Sequence, residues 1–224
     1  MPLRTRPKPV TLDSLDASTV VLIRLAAEIA AGSERAVRDA FVAARDAAVP
    51  PVWIEELVLQ CYLFSGFPRA LNAAREWRRV FPSDVANAGN DLESTTEDAT
   101  DEGQVQEWRI RGEATCAAVY DGMYEKLRLN VRDMHPALDE WMVVEGYGKV
   151  LGRPGLDLAR RELCVVAACA ASGQARQLHS HLHGALNVGV GAGALGDAID
   201  ALSSQLGAAR GKSAKLLLAR VVGK

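Results

Sequence analysis

The sequence predicts an all-α protein, and three observations support this prediction. Apolar residues recur every three to four positions through most of the chain, which is the spacing of an amphipathic helix. Clusters of glycine and proline separate these segments, as they do between short helices. No alternation of polar and apolar residues lasts long enough to indicate a strand, and aromatic residues, which favour strands, make up only 5% of the 224 residues.

Four helices are predicted in residues 13–82. Leu22, Leu25 and Ile29 recur at helical spacing in the first of them. An alanine-rich amphipathic helix follows, and two further helices run from about residue 51 to residue 80. Each boundary falls at residues that end or begin helices: Gly32-Ser33, Pro50-Pro51 and Gly66-Phe67-Pro68.

Residues 83–103 differ in composition from the helices on either side. This segment holds seven Asp or Glu residues and no Lys or Arg. Such a sequence cannot bury enough apolar surface to fold by itself, and it predicts a solvated acidic linker. Residues 1–12, with basic residues among three prolines, are predicted to form a flexible N-terminus that is neither a signal peptide nor a membrane anchor.

Helical periodicity resumes in residues 104–224, and this region contains a weak repeat of residues 13–82. Sliding the chain by 141 residues places Gly207 on Gly66 and also matches the lengths of the helices around them. We interpret this as a degenerate internal duplication. The copies differ in their polar residues, because Glu162 and His181 have no counterpart in the first copy.

Charge, apolar runs and cysteine spacing argue against several classes of partner. A net charge of −2 without a dense basic patch gives no reason to expect nucleic acid. The longest apolar run, residues 164–171, is too short to span a membrane. The four cysteines form no Cys-x-x-Cys pair, which favours a reduced, cytoplasmic protein. His179 and His183 share a helical face without a third ligand, so no metal site is predicted.

Glu162 and His181 are the residues best suited to chemistry. Each is predicted to lie near the middle of one of two helices joined by a short turn after Ser172, so the side chains reach similar heights on an antiparallel pair. A carboxylate and an imidazole in contact can exchange a proton. The alternative is that Glu162 pairs with a nearby arginine on the surface and that His181 is a core histidine with its hydrogen bonds satisfied.

Several motifs of the chain occur together in one known family. They are Arg153-Pro154-Gly155-Leu156, Arg160-Arg161-Glu162-Leu163, the run from His181 to Gly189, and Phe64-Ser65-Gly66-Phe67-Pro68. Through them the chain resembles the carboxymuconolactone decarboxylase family over about residues 13–80 and 110–224. The resemblance implies an all-helical carboxymuconolactone decarboxylase/alkylhydroperoxidase D-like fold, with residues 13–82 as an N-terminal half-repeat and 104–224 as the C-terminal domain.

The resemblance also implies an activity. Members of the family resemble lyases that decarboxylate a small carboxylated lactone, or act on a related carbonyl compound, without a metal or organic cofactor. His181 would donate a proton, Glu162 would set its tautomer and charge, and Glu56 would be a catalytic acid from the first copy. A substrate carboxylate calls for an arginine, which can make a two-point contact. The substrate-binding candidates are Arg161, Arg176, Glu55 and Phe67, with Arg153 and Arg160 as further arginines.

The same family has a redox branch, the alkylhydroperoxidase D type, whose site has the pattern Glu-x11-Cys-x2-Cys-x3-His. Counted from Glu162, this pattern falls on Gln174, Gln177 and His181. Both cysteine positions are glutamine, and without a thiolate there is no peroxidatic or disulfide cycle. An antioxidant peroxidase is therefore the less favoured assignment.

Two functions remain open at this point. One is the cofactor-free lyase, and the other is a non-catalytic helical scaffold or small-ligand-binding protein of the same fold. The expected partner is a small-molecule substrate, and the resemblance implies a homo-oligomer. A chain that contains two fused copies of the domain needs fewer subunits to close the same ring. A trimer is therefore expected where single-domain relatives form hexamers, and a dimer or a hexamer are the alternatives.

Overall fold

A computed structural model of the chain describes residues 11–82 and 102–223. Every regular element within these ranges is helical, and one parallel bridge between Leu12 and Val190 is the only extended pairing in them. The prediction of an all-α fold is confirmed. The predicted flexible N-terminus, 1–12, and the predicted acidic linker, 83–103, fall almost entirely outside the described residues.

The helices follow one another with short connections. In chain order they are α1 (Ala17–Ala31), α2 (Glu34–Asp46), α3 (Pro51–Val80), α4 (Glu102–Tyr120), a 3-10 helix (Asp121–Met123), α5 (Tyr124–Met134), α6 (Pro136–Trp141), a π-helix (Met142–Leu151), α7 (Leu158–Ser172), α8 (Ala175–Asn187), α9 (Ala192–Ala201) and α10 (Ser203–Val222).

The helices of the two halves repeat with an offset of 141 residues. α7 repeats α1 and α8 repeats α2, with both ends of each helix in register. α3 corresponds to α9 and α10 together, and both copies leave helical geometry at the same glycine, Gly66 with a φ of 77° and Gly207 with a φ of 65°. Glycine adopts a positive φ readily because it has no Cβ. The fold therefore carries the predicted internal duplication.

Equivalent side chains close equivalent helix ends in the two copies. Asp16 and Asp157 each accept a hydrogen bond from the backbone amide three residues further on, and so cap the N-termini of α1 and α7. Such a cap stabilises a helix by about 1 kcal/mol. Arg69 and Arg210 each donate to a carbonyl in the last turn of the same two helices. These four residues explain why the helix boundaries survive although most of the sequence has diverged.

α1 and α7 pack against each other at the centre of the fold. α7 is buried over almost its whole length, and most of its residues are small, which allows α1, α3 and α8 to approach it closely. Arg161 and Glu162 are fully buried within this apolar helix. Burying an unpaired charge is strongly unfavourable, so each of these side chains requires a partner.

α4 packs against the π-helix, and glycines make the contact possible. A Cβ on Gly112 would lie 2.0 Å from the carbonyl oxygen of Val143, and a Cβ on Gly148 would lie 2.1 Å from the carbonyl oxygen of Trp108. No larger residue fits at either position without separating the two helices. This contact holds the π-helix beside α4, where it forms one side of the site described below.

The observed helices differ from the predicted boundaries at one point. α4 runs without interruption from Glu102 to Tyr120, so it includes the last two residues of the predicted linker. Further along the chain, α6 ends at Trp141 and the chain continues as a π-helix.

Candidate active site

The turn between α7 and α8 brings Glu162 and His181 together. Gly173 ends α7 with a φ of 76°, and the chain reverses so that α8 packs against α7. Glu162 Oε2 lies 2.8 Å from His181 Nδ1, and both side chains are buried. The alternative in which Glu162 pairs with a surface arginine does not hold.

This contact determines which nitrogen of His181 can meet a ligand. The Glu162 carboxylate accepts from Nδ1–H, which leaves Nε2 for a bound molecule. Phe64 packs edge-on against the imidazole, with 5.6 Å between the ring centroids, and so holds the ring plane. Within the described chain, the second oxygen of Glu162, Oε1, has no hydrogen-bond partner.

His181 lies in the wall of a pocket of about 580 Å³. Residues from α3, α4, α6, the π-helix and α8 line it. Trp141 and Phe67 are 60% and 64% exposed, whereas Tyr147 is buried. Six of the lining residues are aromatic, namely Tyr62, Phe64, Phe67, Tyr120, Trp141 and Tyr147. A concave, largely apolar space of this size is typical of small-molecule sites.

Tyr120 and Tyr147 contribute two phenol groups to the pocket, with their rings edge-to-face and centroids 6.1 Å apart. Burial is the main cause that raises the pKa of Tyr120 to about 12, and the nearby Glu162 charge acts in the same direction. Burial likewise raises the pKa of Tyr147 well above its usual range. Both phenols therefore stay protonated at neutral pH, and their hydroxyl groups can donate hydrogen bonds.

Glu56 and Arg161 form a separate buried ion pair that does not line this pocket. Arg161 Nη2 donates to Glu56 Oε2 at 2.7 Å, and Arg161 Nη1 donates to Gln60 Oε1 at 3.2 Å. Arg153 Nε lies 3.2 Å from Glu56 Oε1. Glu56, the catalytic acid that the resemblance implies, therefore does not share the pocket with His181, because two arginines hold its carboxylate elsewhere.

Among the residues expected to bind substrate, Phe67 is the one that lines the pocket. Arg176 is exposed on α8 and Glu55 is half-buried on α3, and neither contributes to the lining. Arg160 is hydrogen-bonded to two aspartates and lies over the Trp53 ring, 4.4 Å from its centroid. None of the four candidate arginines therefore lines the pocket that holds His181.

The four cysteines are buried and lie outside the pocket lining. Burial raises the pKa of Cys61, Cys116 and Cys169 to about 12 in each case, so these thiols stay protonated and unreactive at neutral pH. Gln177, which stands at the second cysteine position of the redox pattern, places an amide in the pocket instead. Thiol chemistry does not fit the residues around His181.

Tyr120, Trp141 and Tyr147 are among the pocket residues that were not predicted as site residues. A lone tyrosine or tryptophan on a predicted helix is most simply interpreted as part of the core, and these three meet only through the π-helix and the α4 contact. A signal was present in the Gly146-Tyr147-Gly148 sequence. Glycines on both sides of a tyrosine are unfavourable inside a helix, and they indicate a position under another constraint.

Two other kinds of site are absent from the described residues. Over residues 11–82 and 102–223, no helix combines the length and the apolar character needed to cross a membrane. In the same ranges, no group of three or more His, Cys, Asp or Glu side chains is arranged to hold a metal ion. His179 and His183 pack against each other, with ring centroids 4.9 Å apart, outside the pocket lining.

Comparison with known proteins identifies a family for the second half of the chain. Residues 136–220 match the carboxymuconolactone decarboxylase family. This range runs from α6 through the π-helix into α10 and includes both Glu162 and His181, whereas the pocket walls from α3 and α4 lie outside it. No curated protein matches the chain. The similarity to this family therefore covers α6, the π-helix and α7 to α10, and not the first half of the chain.

Proposed function

We propose that the protein is a cofactor-free acid–base catalyst of the carboxymuconolactone decarboxylase type, acting on a small unsaturated lactone or a related carbonyl compound. The observation that carries the proposal is the 2.8 Å contact between Glu162 Oε2 and His181 Nδ1 in the wall of an aromatic pocket. An imidazole held by a carboxylate, beside a cavity of ligand size, is suited to proton transfer.

His181 moves the proton in this proposal. With Nδ1–H donated to Glu162, the neutral imidazole has a lone pair at Nε2, which can accept a proton from a carbon next to a carbonyl group. The Glu162 carboxylate then stabilises the imidazolium. The imidazolium returns the proton to another carbon, which completes an isomerisation. In a decarboxylation the enolate forms instead by loss of carbon dioxide, and an imidazolium that has taken its proton from water protonates it.

Tyr120 and Tyr147 stabilise the negative charge that develops on the substrate oxygen. Removal of a proton beside a carbonyl group produces an enolate, and a hydroxyl donor aimed at its oxygen lowers the barrier. The raised pKa values of the two phenols support this role, because a phenolate could not donate. Loss of one such donor typically slows a reaction by about 10²- to 10³-fold.

A ligand-binding protein without catalytic activity is the second candidate. The observation that favours it is the position of the candidate arginines, none of which lines the pocket, although a carboxylated substrate would call for one. The aromatic walls could retain a ring-shaped ligand whether or not His181 transfers a proton.

Exchange of hydrogen for deuterium tests the proposal on any enolisable compound, so the natural substrate is not required. A panel of butenolides and enolisable carbonyl compounds is incubated with the protein in D₂O and followed by proton NMR. We expect protein-dependent exchange for at least one compound. His181→Gln should slow it by about 10²- to 10⁴-fold, the usual contribution of a general acid–base group, and Glu162→Gln should slow it as well.

His179→Gln is the matched control, because it makes the same change on α8 outside the pocket lining. Ligand binding is measured in parallel by quenching of tryptophan fluorescence, since Trp141 lies in the pocket. Equal exchange rates in the wild type and in His181→Gln would contradict the proposal. Binding without exchange or conversion of any compound would favour the non-catalytic candidate.

A further inference from the structure

The pocket beside His181 carries negative charge without a compensating cation in its lining. Glu145 of the π-helix lines the pocket, and its side chain is 44% exposed. The buried Glu162 carboxylate lies directly behind His181. The described lining residues include no Lys or Arg. Lys149, on the same π-helix, has its Nζ 3.7 Å from Glu145 Oε2 and remains outside the lining.

The charge of Glu145 reaches the aromatic wall of the pocket. Burial raises the pKa of Tyr62, and the negative charge of the Glu145 carboxylate raises it further. Glu145 therefore interacts electrostatically with the Tyr62 hydroxyl. Tyr62 stacks on Phe67 with 4.9 Å between the ring centroids. An anionic ligand against this wall would meet the same repulsion, which apolar walls screen less than bulk water does.

Three of the four candidate arginines are bound to carboxylates elsewhere, and the fourth, Arg176, is exposed on α8 outside the pocket lining. Arg153 and Arg161 both contact the Glu56 carboxylate, and Arg160 is paired with Asp16 and Asp157. Freeing Arg161 would leave Glu56 and Arg161 buried without their pairing, which is strongly unfavourable. An anionic group in the pocket therefore gains no ion pair with a lining residue and meets repulsion.

We infer that the pocket takes uncharged, planar unsaturated lactones or aromatic carbonyl compounds, and that Glu145 is the residue that rejects their carboxylated analogues. This inference rests on the proposed function of the same pocket and narrows its substrate class. The faces of Tyr62, Phe67 and Trp141 provide contact area for a planar ring.

An uncharged lactone has no carboxylate to lose, so the reaction on it is a proton shift. His181 Nε2 takes a proton from the carbon between the ring carbonyl and the double bond, and the electron pair of that C–H bond enters the conjugated enolate. The proton then returns from Nε2 to the far end of the conjugated system. The product is an isomer of the substrate, and no oxidant, reductant or second substrate is consumed.

Binding of a matched pair of probes tests the inference. Coumarin and coumarin-3-carboxylate share one planar lactone and differ by one negative charge. We expect the wild type to bind coumarin at least about tenfold more tightly than the carboxylate, which is the effect of one like charge at short range near a protein surface. Glu145→Gln should reduce this preference, and Glu145→Arg should reverse it. Dissociation constants from ligand-observed NMR titrations provide the measurement.

Glu125→Gln and Glu125→Arg are the matched controls, because they make the same charge changes on an exposed position of α5 outside the pocket. Circular dichroism verifies that each variant is folded. The inference is overturned if the wild type binds neither probe, if it binds both equally, or if Glu145→Arg leaves the ratio unchanged.

Repeating the titrations with His181→Gln separates this inference from the proposed function. Because binding does not require turnover, the preference for coumarin should persist in that variant. Selective binding of coumarin without any exchange activity would support the inference and count against the proposed function. Exchange confined to carboxylated compounds would support the proposed function and overturn the inference.

Discussion

Gly184 determines how closely α8 can approach the Glu162 carboxylate. A Cβ at this position would lie 2.7 Å from Glu162 Oε2 and 2.7 Å from Val119 Cγ1. Glycine inside a helix costs about 0.5–1 kcal/mol relative to alanine. Its presence here follows from the space that the carboxylate needs in order to reach His181.

Gly184→Ala should displace the Glu162 carboxylate and impair the site. Overpacking of a buried position typically costs about 1–3 kcal/mol, and we expect a loss of that size in the free energy of unfolding. We also expect at least a tenfold loss of deuterium-exchange activity, because the Nδ1 contact would lengthen. Urea unfolding and the exchange assay measure the two effects.

Gly196→Ala is the control for this substitution. Gly196 is also helical, and no atom lies within 4 Å of the Cβ it would gain. The change should stabilise the protein by up to about 1 kcal/mol through helix propensity alone. The role assigned to Gly184 is wrong if the two variants behave alike.

The contact between Glu162 and His181 could be anticipated from the sequence because a short turn joins their helices. Similar distances from that turn along the sequence place the two residues at similar heights on the helix pair. The position of Glu56 could not be anticipated in this way. Its partner Arg161 is 105 residues away, and only the packing of α3 against α7 brings the two together.

At the level of elements, the pair of Glu56 and Arg161 joins α3 to α7 and to the loop that precedes α7. Arg161 is fully buried and also donates to the carbonyl of Leu156 at 3.1 Å and to that of Arg153 at 3.1 Å. The guanidinium thus holds the loop and α3 in one arrangement. This geometry favours a structural role for Glu56.

Glu56→Gln should destabilise the fold rather than stop the chemistry. Removing one partner of a buried pair leaves the other charge uncompensated, which costs about 3–5 kcal/mol. We expect a loss of this order in the free energy of unfolding, measured with urea. The exchange rate per folded molecule should fall by less than tenfold, because Glu56 does not line the pocket.

Asp39→Asn provides the comparison with an exposed pair. Arg35 and Asp39 lie 3.8 Å apart with side chains 90% and 70% exposed, and such pairs contribute about 0–1 kcal/mol. If Glu56→Gln unfolds like the wild type but has lost exchange activity, the catalytic role that the family resemblance implies for Glu56 is correct instead.

The sequence predicted elements well where local residues fix their ends. Gly32 and Ser33 separate α1 from α2, and Gly66 marks the kink in α3. The π-helix could not be predicted, because its apolar spacing resembles that of an α-helix. Its residue Gly148 lies in close contact with Gly112 of α4, and no local pattern encodes such a contact between helices.

At the level of the whole molecule, the duplicated halves present different surfaces at equivalent positions. Phe67 and Leu71 of α3 are 64% and 60% exposed. The residues 141 positions further on are Ala208 and Lys212. Trp141 adds a third exposed apolar side chain near Phe67, since both contribute to one pocket. Neighbouring apolar side chains of this size on a surface are typical of interaction sites.

This asymmetry favours assembly through the first half of the chain. If the duplication replaced two subunits by one, each chain needs to keep only one of the two equivalent apolar surfaces. The equivalent surface of the other copy can then become polar without weakening the assembly, as Lys212 indicates. We therefore expect a closed homo-oligomer in which Leu71 is buried between chains, and the trimer implied by the family resemblance is the expected size.

Leu71→Lys tests this assembly by giving the first half the residue that the second half already has. A charged side chain buried at an interface without a partner is costly, so the variant should dissociate to the 24.0 kDa monomer. It should still bind ligand, because Leu71 lies outside the pocket lining. Size-exclusion chromatography with light scattering gives the mass of each form.

Leu216→Lys is the control, because it makes the same change at a 53% exposed position of α10. This variant should leave the oligomer intact. A wild-type protein that is already monomeric would contradict the expected assembly.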